Sequence, residues 1–403
     1  MSEPKRARKA PAHILVVGSI NVDLYQRLDK GAAKFAGKSL SIKPIKGMTL
    51  PAANFLSIPA VGDACAEIGM QCAPGDEEKL VLTMDGPFEQ KTGGKGANAA
   101  AAAGQSFTCE FIGNFGAASA EENKALLADL KTYGDVDISR CATLAGTPTG
   151  TAYILLFDDN DNAIVLLGGA NQKWPTAEEL KTGTKGESLR SAITQSACVM
   201  LQREVPDHVN LVVAEIACSV GKPVFMDVGG TDVPLDERLL PFITVVAPNE
   251  SELTFIAGVA THGDDGKVDP AKVRQAVSTL KGKLAAAGNR DAEVLVTLGA
   301  MGSLHFPGKW SIDGGGEDEC YMGTFSLATP DGKPRDTTGA GDCFRGSYVA
   351  ARYGEQKSIA DSMRWAAAAG SLSVEVEGAM PSMPSRAKIE ERASMPLSCH
   401  ESF

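Results

Sequence analysis

Histidine and paired cysteine are what this sequence has least of. Five histidines, at 13, 208, 262, 305 and 400, show no HxxxH or HExxH spacing, which excludes a histidine-built transition-metal centre. Nine cysteines form no CxxC pair, and an odd, scattered set reads as reduced thiols in a cytosolic protein rather than a disulfide framework. No apolar run approaches the roughly 20 residues that a bilayer crossing needs, and no signal peptide opens the chain. Positive charge is also short: 39 Lys and Arg against 50 Asp and Glu leave a net charge of -11, which argues against nucleic acid or an anionic membrane as main partner. Any metal in the chemistry is then expected to be a hard cation on oxygen ligands.

What is present is a large apolar fraction, 43% of 403 residues, enough to bury the core of a soluble α/β enzyme. The basic cluster Lys5, Arg6, Arg8 and Lys9 reads as a solvated tail over residues 1 to 12. From 13 onward, short β-branched runs recur: "HILVVGSINVDLY", "TCEFIG", "TAYILLF", "AIVLLG", "SACVMLQ", "KPVFMDV", "ITVVAPN" and "AEVLVTLG". Helix-like segments at 119 to 134, 208 to 221 and 270 to 288 lie between them. Such alternation predicts a doubly wound, mostly parallel sheet with helices on both faces and ligands at the carboxyl ends of its strands, over about residues 13 to 395. Residues 29 to 92 break the rhythm with Gly, Pro and Lys, and read either as a small β lid with an insertion or as a disordered insertion. Short candidate strands there are "NFLSIP" and "KLVLTM".

Two glycine-rich stretches carry the chemistry. "TGGKGANAAAAAG" sets Gly94 and Gly96 around Lys95 ahead of an alanine-rich helix, so backbone amides can approach a ligand, yet its spacing is not that of a P-loop. "DTTGAGDCFRGSYVAARYG" sets Gly339, Ala340 and Gly341 before a helix whose apolar positions Phe344, Tyr348 and Ala351 keep helical spacing. Asp342 falls in its first turn, where free amides and the helix dipole favour an anion. The acid is therefore either a helix cap or a base beside a pocket for a transferred phosphoryl group. "APNESEL" leaves Asn249 and Glu252 either as a helix start or as a nucleotide and magnesium contact. "TLGAMG", Thr297 to Gly302, is either a nucleotide loop or a plain turn.

In this order, "VVGSINVDL", "GGKGANAAAAAG", "PNESE", "TLGAMG" and "DTTGAGDCFRG" resemble the ribokinase family of the PfkB carbohydrate kinases, from residue 13 to about 390. The resemblance implies transfer of the ATP γ-phosphoryl group to O5 of D-ribose, in a homodimer joined through a β lid. It implies Asn21, Val22, Asp23, Gly94, Lys95, Gly96, Ala97, Asn98 and Glu204 at the sugar, with Asp342 as base and residues 339 to 342 as anion hole. On the nucleotide it implies Asn249 at the phosphates, Glu252 in the Mg2+ shell, and Thr297, Leu298, Gly299, Ala300, Met301 and Gly302 at the nucleoside. A K+ site is implied at Asp336, Thr338, Ser373, Val376, Gly378 and Ser382. Ala367 stands where relatives often place a polar group near adenine. Two rival readings share the fold: another PfkB sugar or nucleoside kinase, and a catalytically silent sugar-binding protein. The 6% aromatic content leans against a purine sandwich, and the intact Asp342 against silence.

Overall fold

The computed structural model describes residues 12–28, 34–35, 38–39, 49–51, 89–116, 120–157, 162–231, 233–314 and 316–398. The expected basic tail up to residue 11, the candidate strands "NFLSIP" and "KLVLTM", and most of the stretch from 29 to 88 lie outside them.

A nine-stranded sheet forms the body. Its order runs Cys320–Met322, Ser303–Phe306, Glu293–Thr297, Val245–Ala247, Val224–Asp227, Ser196–Leu201, His13–Val17, Cys109–Ile112, Val136–Asp137. Pairing is parallel from Glu293–Thr297 to the Val136 edge, and antiparallel on both sides of Ser303–Phe306. The first strand shows why its sequence is apolar at every position. Ile14 and Val16 join one core, beneath the helices Lys95–Gly104, Ala340–Val349 and Ile359–Ser373, whereas Leu15 and Val17 join the other, beneath Asp207–Ser219 and Pro270–Ala286. A strand covered on both faces has no solvent side to alternate toward.

Chain order reverses at His13–Val17, which lies between Cys109–Ile112 and Ser196–Leu201. This is the topological switch point, where an open parallel sheet leaves a crevice past its strand ends. Ser19, Gln202 and Glu204 follow those strands.

A second sheet of five strands takes the order Thr49–Pro51, Asn162–Leu167, Gly150–Phe157, Asn21–Leu28, Glu89–Gly93. The runs "TAYILLF" and "AIVLLG", expected among the parallel strands, pair antiparallel here, and the former lies parallel to Asn21–Leu28. The second sheet therefore draws on more of the chain than residues 29 to 92. Apolar content alone cannot tell which of two sheets a strand joins.

The alanine helix Lys95–Gly104 is buried almost throughout and packs against Ala340–Val349. At their seam a Cβ on Gly346 would sit 2.4 Å from the Ala99 carbonyl oxygen and 2.9 Å from the Ala102 Cβ. Only small residues allow so close a crossing. Among the described residues no helix is long and apolar enough to cross a membrane.

Candidate active site

At the switch point three chain segments meet on one carboxylate. Glu204 Oε2 accepts the Ser19 hydroxyl at 2.6 Å and the Lys95 amide at 3.0 Å, and the Gly96 amide donates to Ser19 Oγ at 3.3 Å. The strand Asn21–Leu28 starts here, held by the buried side chain of Asn171. Asn171 accepts from the Ile20 amide at 3.0 Å and donates to Ile20 O at 3.0 Å and Asn21 Oδ1 at 2.7 Å. Val22 packs into the core beside Ala97, while the buried carboxylate of Asp23 lies against Gly93. Burial, then the charges of Glu204 and Asp342, push the Asp23 carboxyl well above its ordinary range. Burial likewise raises Glu204, opposed by Ser19 and Lys95.

Asp342 faces this cluster from the head of Ala340–Val349. The N-cap is Gly339, whose φ of 74° is left-handed, and no side chain caps the helix. Asp342 is therefore not a cap. Its Oδ2 accepts Asn98 Nδ2 at 2.9 Å, and its Oδ1 lies 3.5 Å from Lys95 Nζ. Burial raises its pKa, partly countered by the Lys95 charge and the Asn98 hydrogen bond. The first α-helical bond runs from the Cys343 amide to Gly339 O at 2.8 Å, so the amides of Gly341 and Asp342 precede the helical ladder. An acid with a raised pKa beside amides outside the ladder is the pairing that general-base phosphoryl transfer uses.

Charge alternates beyond Asp342. Lys95 Nζ is 3.5 Å from Asp227 Oδ2, Arg345 Nη1 donates to the same oxygen at 3.1 Å, and Arg345 Nη2 donates to Glu252 Oε2 at 3.0 Å. Burial works against the ammonium of Lys95, but Asp227, Asp342 and Glu252 hold its pKa above normal. Burial also opposes the Asp227 carboxylate, and Arg345 and Lys95 outweigh it and bring its pKa down. Neither Asp227, Arg345, Ser19 nor Asn171 stood out in the sequence. Asp227 ends a strand before Gly229, a weak signal at most, and Arg345 reads as one more residue of a helix.

Past the strand Val245–Ala247, Asn249 and Glu252 form a reciprocal capping box for Glu250–Ala257: Glu252 N donates to Asn249 Oδ1 at 2.7 Å and Asn249 N to Glu252 Oε2 at 2.8 Å. The helix-start reading is thus correct, and Glu252 has a second partner in Arg345. The Thr297 amide donates to Pro248 O at 3.0 Å, which brings the Thr297–Gly302 turn beside Asn249. Leu298 is buried under that turn, and Gly299 and Ala300 are exposed. Ala367 is buried in Ile359–Ser373.

Asp336 ties two loops together. Its Oδ1 accepts the Thr338 amide at 2.9 Å and its Oδ2 the Gly378 amide at 2.7 Å. Ser373 and Ser382 turn their hydroxyls onto Gly370 O at 2.9 Å and Ala379 O at 2.7 Å, and Val376 is exposed. Among the described residues no group of three or more His, Cys, Asp or Glu could cage a metal. Glu252 Oε2 is held by the Asn249 amide and Arg345 Nη2, which leaves Oε1 for the water shell of a magnesium ion, a cation that keeps its waters and takes phosphate oxygens rather than a protein cage. With the Asp336 carboxylate and the Ser373 and Ser382 hydroxyls already bonded, a monovalent cation at the 336–338 and 373–382 loops would rest on backbone carbonyls.

An acid and amides at a helix head, a second acid cluster at the switch point and a turn beside a capped strand end define a phosphotransferase cleft. The pattern of the pfkB family carbohydrate kinases matches residues 57–386, and the chain belongs to that family, whose members use ATP with a divalent metal. Among its relatives is a ribokinase of Arabidopsis thaliana, 35% identical over 336 residues, 82% of this chain and 79% of that one. A ribokinase of Haemophilus influenzae is 29% identical, over 73% of this chain and 84% of the other. The structure of the Arabidopsis thaliana ribokinase complexed with ribose and ATP superposes with a TM-score of 0.69, covering 96% of this chain and 100% of that one at 29% identity. An adenosine kinase of Sinorhizobium meliloti shares the fold at a TM-score of 0.62 and 17% identity, covering 95% of this chain and 98% of that one.

Proposed function

We propose that this protein transfers the γ-phosphoryl group of ATP to O5 of D-ribose, giving D-ribose 5-phosphate and ADP. The observation that carries the reading is Asp342, buried and aimed by Asn98 and Lys95, at the head of a helix where the Gly341 and Asp342 amides precede the helical ladder. Asn21, Asp23, Glu204 and the 94–98 turn hold the sugar hydroxyls. Asp342 takes the proton from O5 as that oxygen attacks the γ-phosphorus in line and the bond to the ADP oxygen breaks. Of the expected anion-hole residues 339–342, the Ala340 amide is spent on Thr337 O at 3.2 Å, and the amides of Gly341 and Asp342 stabilise the charge on the group in flight. General-base help of this kind is worth about 100- to 10,000-fold.

Asn249 meets the phosphates, and residues 297–302 carry the nucleoside. Glu252 orients the water shell of Mg2+, which when bound neutralises phosphate charge. The loops of Asp336, Thr338, Ser373, Val376, Gly378 and Ser382 would hold K+, which when bound would stiffen the anion-hole turn. The second sheet serves as lid and homodimer face, residues 13 to 395 act as one α/β unit, and the protein works in the cytoplasm.

The decisive experiment offers ATP and Mg2+ with a panel of pentoses, hexoses and nucleosides, in K+ and in Na+, and identifies the product by NMR. Ribose 5-phosphate at the highest kcat/KM is expected. Preference for a hexose or nucleoside, or sugar binding without ADP release, overturns the reading.

A further inference from the structure

Arg345 takes part in none of the roles above, yet it is a buried cation of the site. Its side chain is 3% exposed. Nη1 and Nη2 are spent on Asp227 and Glu252, and Nε is buried with no hydrogen-bond partner. Nη1 also lies 3.0 Å from the point where a Cβ on Gly341 would be, directly beneath the anion-hole turn. Burying a guanidinium with one N–H unsatisfied is unfavourable, and an apolar side chain of like volume commonly serves a helix core as well or better. The five charges Glu252, Arg345, Asp227, Lys95 and Asp342 form one run of alternating sign between nucleotide and sugar sides. Arg345 is one of its two cations, and it gives Glu252 a direct hydrogen bond into the run.

We propose that Arg345 is a positioning residue. It fixes the Glu252 carboxylate and, through Asp227, the Lys95 ammonium relative to Asp342, so that the two substrates' halves of the cleft keep one spacing. The inference rests on the ribose kinase reading. It assigns Arg345 no contact with substrate.

The test compares wild type with Arg345→Met, Asp227→Asn, the double variant and Arg345→Lys. Four quantities are read: the thermal midpoint, the Kd of ribose and of metal-free ATP by calorimetry, and kcat. Removing one partner strands the other charge, so each single variant is expected to melt lower, and removing both is expected to restore the midpoint. A displaced reacting geometry costs about 100-fold in kcat. The double variant is therefore expected to melt like wild type and bind ribose like wild type while its kcat stays about 100-fold down. Arg345→Lys, with one ammonium for two carboxylates, should fall between. Recovery of kcat together with the midpoint in the double variant makes the pair merely structural and overturns the proposal. If a single variant does not fold, the double variant alone decides. A wild type that turns over no ribose defeats the functional reading instead, and the melting cycle still reports whether Arg345 and Asp227 are coupled.

Discussion

Asn98 donates its side-chain N–H to Asp342 Oδ2 across 2.9 Å, joining the end of the glycine-rich turn to the acid at the head of a different helix. The bond selects the carboxylate's rotamer and favours its charged form. Asn98→Ala is expected to lower kcat about tenfold and to move the acid limb of the kcat/KM profile to higher pH, because a hydrogen bond to the charged form holds a pKa down. An unchanged limb in a pH titration of the variant would remove Asn98 from this role.

Asp342→Asn is expected to cut kcat by about 100-fold or more with ribose affinity retained by calorimetry. Its stability has a definite sign. Burial raises the folded pKa of Asp342 above its unfolded value, so the stability its neutral form confers is lost as pH rises through the folded pKa. A permanently neutral amide avoids that loss. The variant should therefore melt no lower than wild type at neutral pH, with any advantage shrinking on acidification.

Lys95→Met acts on two carboxylates together, since Asp227 and Asp342 each lie 3.5 Å from the ammonium. Breaking a buried pair by removing one partner is worth on the order of 3 kcal/mol, which denaturant unfolding at neutral pH would read as a lower midpoint at constant m. Asp342 also loses the charge that holds its pKa down, so the acid limb should climb. A climb without destabilisation would mean that Asp227 is served by Arg345 alone.

Asp336→Ala removes the acceptor of two amides that belong to separate loops. A cost of about 1 kcal/mol follows from the half-buried donors left unmatched. If these loops hold the monovalent cation, the variant's activity should become the same in K+, Na+ and a large organic cation. Persisting K+ activation would place the cation elsewhere.

Features set by neighbours along the chain were legible in the sequence, and features set by distant pairing were not. Asn249 and Glu252 stand at capping-box spacing, so their helix start could be read directly. Gly339 to Asp342 similarly marked the head of a helix. Asp227 and Arg345, by contrast, are 118 residues apart, and only the packing of the helix Ala340–Val349 over the sheet shows that Arg345 donates to Asp227 Oδ2. The same limit sent the runs at 151 to 157 and 163 to 168 to the wrong sheet, because their apolar content suits either. Asn171 was invisible for a related reason: its amide serves a strand start 150 residues earlier in the chain.

The seam at Gly346 has a consequence for the chemistry. One helix there begins at Lys95 and the other at Ala340, two residues before Asp342, and their backbones approach where Ala99 meets Gly346. The distance between Asn98 and Asp342 is thus gauged by two rigid rods in contact, each carrying one of the two residues. The alanines of "GANAAAAAG" act as the spacer of that gauge, and a single methyl group inserted between the rods would change its reading.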